Sequence, residues 1–201
     1  MKKFIIKIVL YLIPIYLSAL AIIIIDPYNV FRYEDSAIMS ELKSEISYKI
    51  NYPLYKLVKY QTNPSDVIIL GDSRSEKLLI NDRNSNLAYG GGTLQEIVDT
   101  FWHANEYKAL KKVYIGMNFN LYNKYINRNR VSEAIQIKDS FLKYIFNKYS
   151  LKSTLLIINA LAKQTNSQEI NYEKPNKSKK EFWNYQLTHS ADNFYGNYKY
   201  P

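Results

Sequence analysis

Residues 67–70, Val-Ile-Ile-Leu, form an apolar run that ends without a spacer in Gly71-Asp72-Ser73-Arg74-Ser75. Three of the four apolar residues are β-branched, and turn-forming residues follow at once. That pattern predicts a strand buried on both faces, as in a parallel α/β sheet. In such sheets the reactive groups gather at the carboxyl ends of the strands, which here places a serine in the first turn.

Two further segments repeat the arrangement. Ser85–Tyr89 is a short strand candidate that runs into Gly90-Gly91-Gly92. Thr93 then stands three residues before Glu96, the spacing of a capping box, and Leu94, Ile97, Val98 and Phe101 recur at helical period. Lys111-Lys112 closes that helix, and Val113-Tyr114-Ile115 forms a third strand ending in Gly116-Met117-Asn118. Strands joined by helical connections predict a three-layer parallel α/β sheet. Ahead of it, Ser36–Tyr60 reads as two short helices meeting near Pro53. After it, Phe141, Leu142, Ile145 and Phe146 mark one helix, and Leu151–Leu161 another that is apolar almost all round.

The N-terminus carries a different signal. Lys2 and Lys3 precede Phe4–Ile25, which is interrupted only by Lys7, Pro14 and Ser18 among apolar neighbours. That length suits one bilayer crossing, and the preceding lysines predict a cytoplasmic N-terminus with the rest of the chain outside. Ala19-Leu20-Ala21 has the form a signal peptidase cleaves, but Ile22–Ile25 prolong the apolar run past it, which favours an uncleaved anchor. The expected divisions are a signal-anchor at 1–25, a helical linker at 26–62, a partial α/β domain at 63–163 and a polar, aromatic-rich segment at 164–201. Three strands leave an open edge, so the pattern predicts more of the domain beyond Pro201.

Composition narrows the chemistry. The formal net charge is +9, yet the lysines and arginines are scattered, so nucleic acid is not an expected partner. The chain has no cysteine, which excludes disulfides and thiolate metal sites. Neither a phosphate-binding Gly-x-Gly-x-x-Gly loop nor clustered histidines occur, and no cofactor is expected. A serine hydroxyl becomes a nucleophile only when a base takes its proton and donors hold the oxyanion. Ser73, a glycine amide in Gly90–Gly92 and the Asn118 side chain each follow a strand and would meet at one face of the sheet. Taken singly, Gly71-Asp72-Ser73 also reads as a tight turn whose Asp72 or Ser73 caps a helix.

These blocks resemble the SGNH (GDSL-type) hydrolases and acyltransferases. Gly71-Asp72-Ser73-Arg74 is similar to the family's first block, which implies Ser73 as nucleophile and its amide as an oxyanion donor, with Asp72 and Arg74 in support. Asn86-Leu87-Ala88-Tyr89-Gly90-Gly91 is similar to the second block, which implies the Gly91 amide as a second donor. Gly116-Met117-Asn118 resembles the third and implies Asn118 as the side-chain donor, although Phe119 stands where the family usually has aspartate. The likeness covers about residues 62–120 and extends loosely to Asp26-Pro27-Tyr28. The family's last block, Asp-x-x-His, occurs nowhere in the chain. His103 is expected to be exposed on its helix, and His189 lies in the polar tail.

The resemblance implies the N-terminal portion of a membrane-anchored serine esterase or O-acyltransferase acting on acyl or acetyl groups of envelope polysaccharide. An acyl-donor protein would then be a further partner. The alternative is a membrane-anchored, non-catalytic envelope protein that binds glycan. Its aromatic tail, including Phe182, Trp183, Tyr185 and Tyr195, could stack on sugar rings.

Overall fold

The computed structural model describes residues 2–78, 85–118, 121 and 128–166, with the side chains of residues 2–9 and 164–166 excepted. The chain divides into two compact units, Met1–Ala162 and Lys163–Pro201. His189 and the aromatic tail residues lie outside the described residues.

Helix α1 (Lys2–Ile25) stops at Asp26, whose backbone adopts φ +42°. The buried Asp26 carboxylate accepts from the amides of Val30 (3.0 Å) and Phe31 (2.7 Å) and from the Tyr144 hydroxyl (2.6 Å). Three donors on one carboxylate satisfy a group whose burial would otherwise be costly. Burial still raises its pKa, against the opposing effect of those donors. Among the described residues no helix is long and apolar enough to cross a membrane, so the expected span over Phe4–Ile25 is not supported there. The side chains that would complete that span lie outside those described. From Leu10 onward α1 exposes Leu10, Tyr11, Ile13, Tyr16, Leu17 and Leu20.

Two helices follow. In α2 (Ala37–Ile50) the Ser36 side chain caps the Met39 amide, and in α3 (Tyr52–Thr62) Asn51 caps the Leu54 amide with Pro53 in the first turn. Proline is tolerated there because its missing N–H would have no partner in a first turn. The α3 residues Leu54, Leu57 and Val58 pack with Ile22, Tyr28, Tyr89, Val131 and Tyr144 in one apolar core.

The sheet is parallel, in the order β2-β1-β3, with β1 (Val67–Leu70) central, β2 (Ser85–Asn86) on one side and β3 (Lys112–Ile115) on the other. Ile68 lies opposite Ser85 and Val113, and Leu70 opposite Ile115. The mixed α/β class with a three-strand parallel sheet is therefore as expected. Regular strand β2 is shorter than Ser85–Tyr89, but the chain stays alongside β1 past Asn86, the Leu87 amide donating to Ile69 O (2.8 Å) and that of Tyr89 to Gly71 O (3.0 Å).

Helix α4 (Leu94–Tyr107) has the expected capping box but a different inward face. Ile97 is buried as expected, whereas Leu94 and Val98 are each 40 % exposed. Glu96, Thr100, His103 and Ala104 take the inner positions instead. Polar groups can occupy them because each of the first two is bonded: Glu96 to Arg130 and Thr100 to the Glu96 carbonyl. Helices α5 (Arg130–Asp139), α6 (Phe141–Ile145) and α7 (Lys148–Asn166) complete the description. In α6 the inward residues are Tyr144 and Ile145, while Phe141 and Leu142 face outward.

Candidate active site at the strand ends

The carboxyl end of β1 meets both neighbouring loops. Gly71 has φ +143°, a region L side chains rarely adopt, and its carbonyl accepts from the Tyr89 amide. Gly92 lies against the same carbonyl so closely that a Cβ there would be 3.1 Å from it. On the other side, the Gly116 amide donates to Leu70 O (2.9 Å), and the Asn118 side-chain amide donates to the buried Asp72 carboxylate. Ser75 is buried between the two glycines: a Cβ on Gly71 or Gly116 would fall 2.4 or 1.7 Å from its hydroxyl oxygen. The loops that follow β2 and β3 thus both pack on residues 71–75, the loop that follows β1.

Asp72 organises this turn. Its side chain accepts from the Arg74 amide (3.1 Å) as well as from Asn118, and its carbonyl accepts from the amides of Ser75 (3.0 Å) and Glu76 (3.2 Å). Ser73 and Arg74 are left exposed at the tip. Among the described residues the Ser73 and Gly91 amides have no acceptor. Asp72, Ser73, Arg74 and Asn118 therefore share one strand-end cluster, with Asn118 held by Asp72.

The glycine loop is clamped by residues the sequence reading did not single out. The Tyr52 hydroxyl donates to Gly90 O (2.8 Å), Arg130 to Gly90 O (3.1 Å) and Gly91 O (3.3 Å), and Arg128 to Gly91 O (2.9 Å). Gly91 itself has φ +61°. Because the peptide is trans, fixing the Gly90 carbonyl toward Tyr52 and Arg130 turns the Gly91 N–H to the opposite side. Arg130 is aimed by Glu96, a fully buried carboxylate that it grips through Nε (2.8 Å) and a terminal nitrogen (2.9 Å). Burial alone would raise the Glu96 pKa, but these bonds and the Arg130 charge hold it below the usual glutamate value. The capping-box carboxylate thus has a second task, and its partner, thirty-four residues away, left no local signal.

A second network borders the turn. Lys56 donates to Glu76 (3.0 Å) and to the Ala88 carbonyl, and Glu76 also accepts from Tyr48 (2.7 Å). Burial lowers the Lys56 pKa, opposed by Glu76.

His103 corrects the expectation of an exposed residue. It is 3 % exposed, with its ring edge-on to Tyr107 at 5.0 Å and its Nε2 without a partner among the described residues. Burial, aided by the nearby Lys138 charge, pushes its pKa down to about 4. It also lies ten residues beyond the Thr93 cap, about 15 Å along α4 at 1.5 Å per residue, away from the glycine loop. His103 is thus no base for Ser73. Among the described residues no cluster of histidine, cysteine, aspartate and glutamate could hold a metal ion. A cavity of about 270 Å³ between α2 and α3, lined by Tyr28, Lys43 and Tyr55, contains none of the strand-end residues.

In comparisons with known proteins, no family model, curated protein or solved structure matches the chain.

Proposed function

We propose that this chain carries the nucleophile and oxyanion half of a membrane-anchored SGNH-like serine esterase or O-acyltransferase acting on acyl groups of envelope polysaccharide. The observation that carries the reading is the single cluster formed by the turn of Ser73 with the loops of Gly91 and Asn118, joined through the Gly71 carbonyl and the Asp72–Asn118 bond. Exposure of Leu10, Tyr11 and Leu17 along α1 supports the anchor.

In this reading Ser73 Oγ attacks the acyl carbonyl carbon as its proton passes to a base, and the carbonyl oxygen gains the negative charge. The Ser73 and Gly91 amides and the Asn118 side chain donate to that oxygen. Collapse expels the alcohol, which takes up the proton, and leaves an acyl-serine that water or a sugar hydroxyl resolves. Asn118 must share or exchange its bond to Asp72 to reach the oxyanion. Asp72 thus serves as its resting position, not as an acid or base.

A fluorophosphonate probe applied to the protein in its native membranes is expected to label Ser73 and to leave Ser73→Ala unlabelled. A folded protein that takes no label at Ser73 refutes the enzymatic reading. A second reading, a non-catalytic glycan-binding envelope protein, is favoured by one observation: the only histidine among the described residues lies at the far end of α4. Glycan binding that survives Ser73→Ala, with no acyl turnover in the native protein, supports it.

A further inference from the structure

Helix α7 faces the wrong way for a helix in water. It buries Ser150, Ser153, Thr154 and Ile157 and turns Leu151, Leu155, Leu156 and Ile158 outward, Leu155 being 58 % exposed. A helix on a globular core does the reverse, hiding its leucines and wetting its hydroxyls. The preceding α6 does the same with Phe141 and Leu142, the latter 64 % exposed. Apolar surface of this extent marks a place where something other than water is met.

Its position and charge identify what is met. The Tyr144 hydroxyl of α6 donates to Asp26, and Ser153 of α7 donates to the Tyr28 hydroxyl (3.1 Å), so both helices are bonded to the residues that immediately follow α1. Phe31, in the same stretch, packs on α6, its ring 5.8 Å from that of Phe141 and 5.4 Å from that of Tyr144. Helix α6 also packs on α1 itself. Lys143, Lys148 and Lys152 are exposed beside them, and no aspartate or glutamate occurs between Phe141 and Asn166. A second copy docking symmetrically would set lysine against lysine. An anionic lipid surface would instead take the leucines among its acyl chains and the ammonium groups at its headgroups.

We propose that α6 and α7 form a second membrane contact, lying in the headgroup region of an anionic bilayer beside α1. The inference rests on the reading of α1 as the anchor. Helix α5, whose first residue Arg130 holds the glycine loop and whose last lies just before α6, is ten residues or about 15 Å long and ties that loop to the membrane-contacting helices. The substrate ester would then be one presented close to the membrane.

The absence of cysteine allows one thiol to be placed at a time. Leu17→Cys, Leu142→Cys, Leu155→Cys and, as a solvent control on α4, Glu106→Cys are labelled with an environment-sensitive fluorophore in the full chain. Each is reconstituted into phosphatidylcholine vesicles containing phosphatidylglycerol. Labels at 17, 142 and 155 are expected to lose fluorescence to doxyl-labelled lipid and resist aqueous iodide, while that at 106 does the opposite. Omitting phosphatidylglycerol should weaken lipid quenching at 142 and 155 more than at 17. If 17 is in lipid while 142 and 155 are quenched by iodide, the second contact is refuted and the anchor stands. If 142 and 155 resist both quenchers, protein covers the face and the proposal is overturned. Lipid quenching at 142 and 155 with iodide quenching at 17 would instead remove the anchor and keep the contact.

Discussion

The burial of Ser75 between two glycines gives a test in which the same compensating change must rescue one substitution and fail for the other. In Gly116→Ala the new Cβ would lie 1.7 Å from Ser75 Oγ but 3.1 Å from Ser75 Cβ. Ser75 is 3 % exposed, so its hydroxyl has little room to swing clear. Overpacking of this kind costs about 1–3 kcal/mol. Removing the hydroxyl with Ser75→Ala leaves a contact only a few tenths of an ångström too tight. The double variant should therefore recover about 1–2 kcal/mol relative to the sum of the single changes, within the range of measured couplings between touching residues. In Gly71→Ala the Cβ meets Ser75 Cβ at 2.8 Å as well as Oγ at 2.4 Å, and φ is +143°. The backbone strain adds about 1–3 kcal/mol that no change at Ser75 relieves. Urea unfolding followed by circular dichroism in mild detergent resolves such differences, since 2 kcal/mol moves a midpoint by about 1 M. If Ser75→Ala rescues both glycine variants equally, or neither, the packing of β1 and β3 around Ser75 is not as described.

Three further outcomes follow from the site and its supports. Asn118→Ala should leave folding intact and lower any Ser73-dependent acyl turnover about 10²–10³-fold, the effect of losing one oxyanion donor, as measured by ester hydrolysis in native membranes. Glu96→Ala should cost about 3–5 kcal/mol by leaving the Arg130 charge without its carboxylate, and should expose the Gly90–Gly92 loop to proteolysis. The pH dependence divides between two groups. His103 has a folded pKa near 4, below its ordinary 6.5, so its contribution is complete above 6.5 and is lost as pH falls toward 4. That loss amounts to about 3 kcal/mol at 1.36 kcal/mol per pH unit and should vanish in His103→Gln. Glu96, also depressed, contributes above its ordinary 4.5 and loses that only at still lower pH, a component that Glu96→Gln should remove.

Most of the architecture was legible because it rests on local chemistry. The Val67–Leu70 run, the Thr93–Glu96 capping box and Pro53 each act within a few residues of themselves, and each element formed where that chemistry put it. The inner face of α4 was not legible. Periodicity assigned Leu94 and Val98 inward, but whether Glu96 can be buried depends on Arg130, which only the fold brings beside it. The same applies to His103: its ring meets Tyr107 of its own helix, but Lys138 of α5, which bonds the Tyr107 hydroxyl and places its charge nearby, is brought there only by the fold.

By itself the sequence determined that strand ends would carry Ser73, the Gly90–Gly92 loop and Asn118, because buried parallel strands and turn residues are encoded locally. Only the tertiary structure decided that Asp72 holds Asn118, that Tyr52 and Arg130 hold the Gly90 carbonyl, and that α7 hides hydroxyls and shows leucines. Hydrogen bonds and burial between distant segments are set by which surfaces meet, and a residue's own neighbours in the chain do not specify that.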